Sequence, residues 1–226
     1  MHRGLKVSVV VPCYNEEDGI RSVIESMPAY VDEVVVVDNN STDRTGEIAR
    51  SLGAVVVFQP RKGYGAAYQA GLPAATGDVI ATLDGDGTYP SDEIGSLIDV
   101  LEARKLDFIS GSRFPLRNRQ AMNFTNQIGN LVLTIATMVL WLRPLRDSQS
   151  GMWVFRRSVL PQLRLTSDGM PLSEEIKIEA IEKLGPRFAE VGIDYRPRIG
   201  EVKLQKWRDG WRNLSFLFAK RFGFVR

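Results

Sequence analysis

A chain of 226 residues with 44% apolar residues is long enough to bury a true core, and it suits one large α/β domain better than two small ones. The net charge of +2 gives no general pull towards nucleic acid, and a single histidine, His2 at the terminus, argues against histidine-based zinc or acid–base chemistry. One cysteine, Cys13, excludes an internal disulfide and fits a reducing, cytoplasmic setting; at the end of an apolar strand it is expected to be a buried, inert thiol. Charges and a strand come at once, so no signal peptide is expected. The longest uncharged apolar run, Leu131 to Leu142, is well short of the roughly 18–20 residues a spanning helix needs, which leaves a peripheral position on a membrane open.

Val7–Val11 reads as a short strand, followed by Pro12-Cys13-Tyr14-Asn15-Glu16-Glu17-Asp18. Asn15 is expected to cap a helix whose first-turn acids oppose the dipole, with Ile20, Val23, Ile24 and Met27 as its apolar face. Val34–Val37 is a second strand, ending in Asp38-Asn39-Asn40-Ser41; Ser41 or Thr42 is expected to cap a helix that runs to about Leu52 and closes at Gly53. Val55–Phe58 forms a third strand, and Arg61-Lys62-Gly63-Tyr64-Gly65 leads into an Ala-rich helix through Ala75. Val79–Leu83 is a fourth strand, Ser91-Asp92-Glu93 opens a helix to about Ala103, and Phe108–Ser110 is a fifth strand. Strands alternating with helices through short connections predict a mostly parallel sheet covered on both faces.

The second half is less regular. Arg113 to Gln120 is a basic loop, and Asn123 to Leu142 reads as a helix that is apolar on nearly every side in its later half, apart from Thr134 and Thr137. Such a helix is either core or in contact with lipid, core being the commoner outcome. Ser148–Phe155 reads as a loop and short strand, Ser173-Glu174-Glu175 starts another helix, and Phe188–Arg196 is extended. At the end, Trp207, Trp211, Leu214, Phe218 and Phe222 fall at helical spacing among Arg208, Arg212, Lys220, Arg221 and Arg226. That composition fits an interfacial helix and equally a terminal helix docked on the domain.

Three strand ends collect acids or amides: Asn15-Glu16, Asp38-Asn39-Asn40 and Asp84-Gly85-Asp86. In a parallel sheet they share one edge, where open α/β sheets bind ligands. Their acceptor groups suit a nucleotide's base and ribose. Asp84 and Asp86, at i and i+2 on extended chain, can face one site, and two carboxylates so placed call for a cation such as Mg²⁺ or Mn²⁺ on a diphosphate. A plain Asp-Gly turn after a strand is the competing reading. A dinucleotide-binding dehydrogenase would need Gly-x-Gly-x-x-Gly after the first strand, where this chain has Pro12 to Glu17. A nucleotidyltransferase would need a glycine-rich, arginine-containing loop there.

Pro12-Cys-Tyr14-Asn15-Glu16, Asp38-Asn-Asn-Ser41-Thr-Asp43-Arg-Thr45, Lys62-Gly-Tyr-Gly65-Ala-Ala, Gly77-Asp78 and Asp84-Gly-Asp86 resemble the ordered motifs of family 2 glycosyltransferases. Gly111-Ser112-Arg113-Phe114, Asp147-Ser-Gln-Ser150-Gly151 and Pro197-Arg198-Ile-Gly200-Glu201-Val-Lys203-Leu204 resemble the polyprenyl-phosphate (dolichol-phosphate) hexose synthase branch. The resemblance implies a GT-A-like, Rossmann-like domain with interfacial helices: a nucleotide-sugar-binding part over 1–115, an acceptor-binding part over 116–205 with an interface helix at 123–142, and a basic amphipathic tail over 206–226. It implies that Pro12, Tyr14, Glu16, Asp38 and Lys62 bind the nucleotide sugar, and that Asp84 and Asp86 hold the metal and diphosphate. It further implies that Arg113 lies near the metal and acceptor phosphate, with Arg198 and Lys203 on that phosphate. Asp86 and Arg113 are then the residues closest to the chemistry.

Two departures stand out. Thr88 occupies the place where relatives often have a glutamine ligand, and Asn126, Gln127 and Asn130 stand where mannose synthases show arginine and serine. The implied reaction is inverting transfer of a hexose from a nucleotide sugar to a polyprenyl phosphate on the cytoplasmic face of a membrane. UDP-glucose or UDP-N-acetylglucosamine is favoured over GDP-mannose, and there is room for a membrane-embedded partner or a second copy of the chain. The alternatives are a soluble family 2 transferase acting on a hydroxyl and a non-catalytic membrane-docking module.

Overall fold

The computed structural model describes residues 1–200 and 206–224, and the side chains of Arg119 and Lys206 are not described. Seven strands form one sheet: β1 (Val7–Cys13), β2 (Glu33–Asp38), β3 (Val55–Phe58), β4 (Val79–Thr82), β5 (Phe108–Ser112), β6 (Trp153–Arg156) and β7 (Phe188–Gly192), in the order β3-β2-β1-β4-β6-β5-β7. All neighbours are parallel except β6, which runs antiparallel between β4 and β5. The α/β class and the mostly parallel sheet are as expected; the reversed β6 was not foreseen.

Among the described residues, seven α-helices accompany the sheet: α1 (Glu17–Glu25), α2 (Thr45–Ser51), α3 (Tyr64–Ala74), α4 (Ile94–Ala103), α5 (Phe124–Trp141), α6 (Leu172–Leu184) and α7 (Lys206–Arg221). Alternation along β1 divides the core. Val7, Val9 and Val11 pack with Ile20 of α1, Ala49 of α2 and Leu97 of α4. Val10 packs on the other face with Tyr68 of α3 and Ile176 of α6. Cys13 is buried, and its thiol is pushed well up by that burial, as expected of an inert group.

Two helix starts differ from expectation. Asn15 does not cap α1; it adopts a left-handed conformation (φ 53°), and its Oδ1 accepts from the Thr42 amide at 2.8 Å. Neither Ser41 nor Thr42 caps α2, which begins at Thr45. There the Asp43 carboxylate accepts from the Thr45 amide at 3.0 Å. The hydroxyls of Ser41 and Thr45 instead brace the loops after β1 and β2 against each other: the backbone amide of Asn15 donates to Ser41 Oγ at 3.1 Å and that of Glu16 to Thr45 Oγ1 at 2.8 Å. Asx and hydroxyl side chains serve turns as well as caps, and here the turn between loops wins.

Helix α5 overturns the expectation of a core helix. Asn123 caps it, accepting from the Asn126 amide at 2.9 Å. Its buried residues are Asn130, Leu133, Thr134 and Thr137, while Phe124, Ile128, Leu131, Val132, Ile135 and Val139 are exposed, Val139 by 65%. The polar stripe faces inward because Ser148 and Arg113 supply it with partners: Thr134 Oγ1 lies 3.1 Å from Ser148 Oγ, and Asn130 Oδ1 accepts from Arg113 Nη2 at 3.2 Å. The apolar majority is left outside. Helix α7 packs beside it, with Leu217 buried among Leu133 and Ile178. Its Trp207 is 88% exposed and Trp211 72%, so the helix docks on the domain and also presents tryptophans outward. Among the described residues, no helix is long and apolar enough to cross a membrane.

Candidate active site

The parallel arrangement of β1, β2 and β4 brings the three acid- or amide-bearing strand ends to one edge. Cys13 pairs with Asp38 in register and Val10 with Thr82, and the Leu83 amide continues the ladder to Val10 O at 3.2 Å. Pro12 is half-buried at the end of β1. Asp38 Oδ1 accepts from the Ser41 amide at 2.9 Å, shaping the turn after β2. Lys62 reaches across from the loop before α3, donating to Tyr14 Oη at 2.7 Å with its ammonium 4.2 Å from the ring centroid. Asn39, grouped by the sequence with the strand-end acceptors suited to a nucleotide, uses its side chain to position that loop. Its Nδ2 donates to Arg61 O at 2.7 Å and its Oδ1 accepts from the Gly63 amide at 2.8 Å. The only sequence signal was its place in the Asp-Asn-Asn-Ser turn.

The Asp84-Gly85-Asp86 turn is pressed against the start of α1. A Cβ on Gly85 would fall 2.6 Å from Cys13 Sγ, and one on Gly19 would fall 2.6 Å from Gly85 O, so both glycines permit this approach. The two carboxylates are differently placed. Asp86 Oδ1 accepts from the Thr88 amide at 3.0 Å and from Thr88 Oγ1 at 2.7 Å, while its Oδ2 lies 2.8 Å from Arg198 Nη1. Thr88 is therefore committed to Asp86. Asp84 is half-buried as a residue, but its Oδ1 is buried and has no hydrogen-bond partner, and desolvation, reinforced by the charge of Asp86, pushes its pKa up to about 8.

A buried carboxylate oxygen without a partner is what a site for a cation presents when only protein is there. Two carboxylates also suit a hard oxygen-binding ion that completes its shell with substrate phosphate and water. Among the described residues, no group of three or more His, Cys, Asp or Glu side chains could hold a metal by itself.

Arg198 joins this edge from the segment after β7. Its Nη2 donates to Glu16 Oε1 at 2.6 Å, so Glu16 and Asp86 share one guanidinium. The backbone of that segment runs beside the turn, the Arg196 amide donating to Thr88 O at 2.9 Å and the Ile199 amide to Asp86 O at 2.8 Å. Lys203 lies outside the described residues.

Arg113, at the end of β5, is buried in a two-pronged ion pair with Asp147. Nε donates to Oδ2 and Nη2 to Oδ1, both at 2.8 Å, and the Arg113 amide adds a third bond to Oδ2 at 3.0 Å. Burial alone would raise the Asp147 pKa, but Arg113 holds it down to about 2. The Asp147 backbone is clamped as well: Glu190 Oε1 accepts from its amide at 3.0 Å, and the fully buried Lys177 donates to its carbonyl at 2.7 Å. Lys177 and Glu190 were not foreseen as partners of this site.

This motif order on this fold decides the family. The sequence profile described as Glycosyl transferase family 2 matches residues 8–164. The chain belongs to that family. Among its relatives, the low-salt glycan biosynthesis hexosyltransferase Agl6 of Haloferax volcanii is 35% identical over 97% of this chain, which spans only 54% of Agl6. A dolichyl-phosphate hexose transferase of the same organism is 36% identical, covering 90% of this chain and 89% of its own length. In fold, the glucosyl-3-phosphoglycerate synthase of Mycobacterium tuberculosis, solved with Mn²⁺, UDP-glucose and phosphoglyceric acid, superposes with a TM-score of 0.78 at 24% identity, over 99% of this chain and 81% of the synthase. At that identity the likeness shows a shared GT-A architecture.

Proposed function

We propose that this glycosyltransferase moves a hexose from a nucleotide sugar, a UDP-sugar in preference to GDP-mannose, to a polyprenyl or dolichyl phosphate at a membrane surface. The observation that carries the reading is the inside-out facing of α5. Its apolar residues form an exposed face while Asn130, on its inner side, holds Arg113. A lipid-compatible surface is thus joined through one helix to a cationic group beside the strand ends. Trp207 and Trp211 on α7 supply the amphipathic rings suited to an interface. The Haloferax relative named for dolichyl phosphate supports the same acceptor.

In this reading Tyr14, Lys62, Asp38, Pro12 and Glu16 surround the nucleotide, and Asp84 and Asp86 would hold Mg²⁺ or Mn²⁺. When bound, such an ion neutralises the charge of the departing diphosphate. Arg198 and Lys203 supply positive charge for the acceptor, with Arg113, held by Asp147, beside the strand ends. A phosphate monoester, with a second pKa of about 6, is already an anionic nucleophile, so the scarcity of histidine is no obstacle. An acceptor oxygen bonds to the anomeric carbon as the bond to the diphosphate breaks, releasing nucleoside diphosphate with inversion. The test is Asp86→Asn together with chelator: each should abolish transfer while the far-ultraviolet circular dichroism spectrum is unchanged. Full turnover in chelator would refute the metal role.

A further inference from the structure

We propose that Arg198 is the resident counter-ion of the carboxylate edge and must leave it before a divalent cation can enter, so that filling the donor site frees Arg198. The proposal rests on the reading of Asp84 and Asp86 as a cation-and-diphosphate site. Asp86 has one oxygen, Oδ1, bound by the Thr88 amide and hydroxyl, and the oxygen left for a cation, Oδ2, is the one that Arg198 Nη1 holds at 2.8 Å. A metal ion and a guanidinium on the same carboxylate oxygen repel each other. One has to give way.

The way Arg198 is held marks it as the group that yields. It takes a single oxygen from each of two carboxylates, Glu16 at 2.6 Å and Asp86 at 2.8 Å, and its buried Nε has no partner. Arg113 differs in both respects, since its Nε and Nη2 grip both oxygens of Asp147. A planar fork that meets two separate acids and leaves a donor unmet is poorly matched to its site. The Arg198 side chain is also 26% exposed, giving it a path outward.

Its backbone need not move. The Arg196 and Ile199 amides are bonded to Thr88 O and Asp86 O, and Arg196 pairs with Asp92 at 2.8 Å. Gly200, at φ +83°, turns the chain immediately afterwards. A cavity of about 260 Å³ lies beside this segment, lined in part by Ser22, Ser26, Gly87, Pro197 and Ile199. The side chain can therefore swing about a fixed stretch of backbone, and once off the carboxylates its fork is available to an anionic acceptor. Donor filling would then precede acceptor capture as a consequence of charge.

The experiment titrates the full chain with Mn²⁺ alone, following free Mn²⁺ by electron paramagnetic resonance, for the wild type, Arg198→Gln and Arg196→Gln. If Arg198 occupies the site most of the time, the apparent affinity is lowered by the vacant fraction, and Arg198→Gln should bind Mn²⁺ on the order of tenfold more tightly. Arg196→Gln, which removes a nearby charge paired with Asp92 rather than with Glu16 or Asp86, should change it little. In a second measurement, the Arg198 Nε–H resonance, assigned by its loss in Arg198→Gln, should shift when wild type is saturated with Mg²⁺ and UDP. Equal Mn²⁺ affinity for wild type and Arg198→Gln, or an equal gain in Arg196→Gln, overturns the exchange while leaving the metal site standing. Failure of all three proteins to bind Mn²⁺, even with UDP present, overturns the metal-site reading and the exchange with it.

Discussion

Replacing Asp147 by asparagine should be among the most damaging conservative changes this protein can suffer. Asp147 is fully buried, and its carboxylate receives three bonds from Arg113, two of them at 2.8 Å. Asparagine keeps the shape but removes the charge that neutralises a buried guanidinium. It also turns amide hydrogens towards one arm of the fork. Breaking a buried pair in this way costs about 3–5 kcal/mol, because the surviving charge is left uncompensated. Lys177, fully buried with its pKa lowered to about 8 by desolvation, loses the nearby Asp147 charge at the same time.

The assay is urea denaturation of wild type, Asp147→Asn and the double variant Arg113→Met/Asp147→Leu. The single change should lower stability by about 3–5 kcal/mol, and the double change, which removes both charges, should recover most of it. A loss below about 1 kcal/mol for Asp147→Asn, with no recovery in the double variant, would refute the reasoning. The pH dependence has a fixed sign. A folded pKa of about 2 against an ordinary 3.8 means stability present above pH 4 and lost as pH falls through 2. That loss amounts to about 2 kcal/mol in the wild type and should be missing in the double variant.

Two further predictions rest on other parts of the molecule. Glu174 is pushed up to about 8 by burial from an ordinary 4.5, so its contribution is fully present below pH 4.5 and lost as pH rises through 8. Glu174→Gln should remove that fall, on the order of 1 kcal/mol per pH unit, making the variant more stable than wild type at pH 8–9 in thermal melts; an unchanged pH slope would contradict it. On α5, Ile135 is exposed, and Ile135→Glu should lower binding to anionic vesicles by about tenfold with little change in melting temperature. Equal vesicle binding by wild type and variant would remove α5 from the membrane contact.

The parallel strands and the gathering of Glu16, Asp38, Asp84 and Asp86 at one sheet edge were legible because they follow from local rules: β-branched runs, strand alternation and the edge at which α/β sheets bind ligands. What escaped was set by tertiary partners. The polar minority of α5, Asn130, Thr134 and Thr137 at spacings of four and three, did mark one face, but whether that face points in or out depends on Ser148 and Arg113, which are distant in sequence. Helix α6 begins with acids that look like exposed first-turn residues, yet Glu174, Glu175, Lys177 and Glu179 are all buried. Lys220 of α7, 2.8 Å from Glu179, and the Asp147 carbonyl supply their partners. No periodicity announces such a network. The pairing of Arg198 with Glu16 joins residues 182 apart, beyond any local signal. Asn15 and Ser41 were misread as caps because the same side chains serve turns equally well.

The central claim is that a hexose passes from a nucleotide sugar to a polyprenyl phosphate. It is tested most directly by supplying the protein with polyprenyl phosphate in vesicles, Mg²⁺ or Mn²⁺, and separately sugar-labelled UDP-glucose, UDP-N-acetylglucosamine and GDP-mannose, then counting label in the organic phase. The account predicts label from a UDP-sugar in an extractable lipid, matched one-for-one by released UDP, and none without metal. Label transferred only to a water-soluble hydroxyl acceptor, with the lipid phosphate left unmodified, would contradict it.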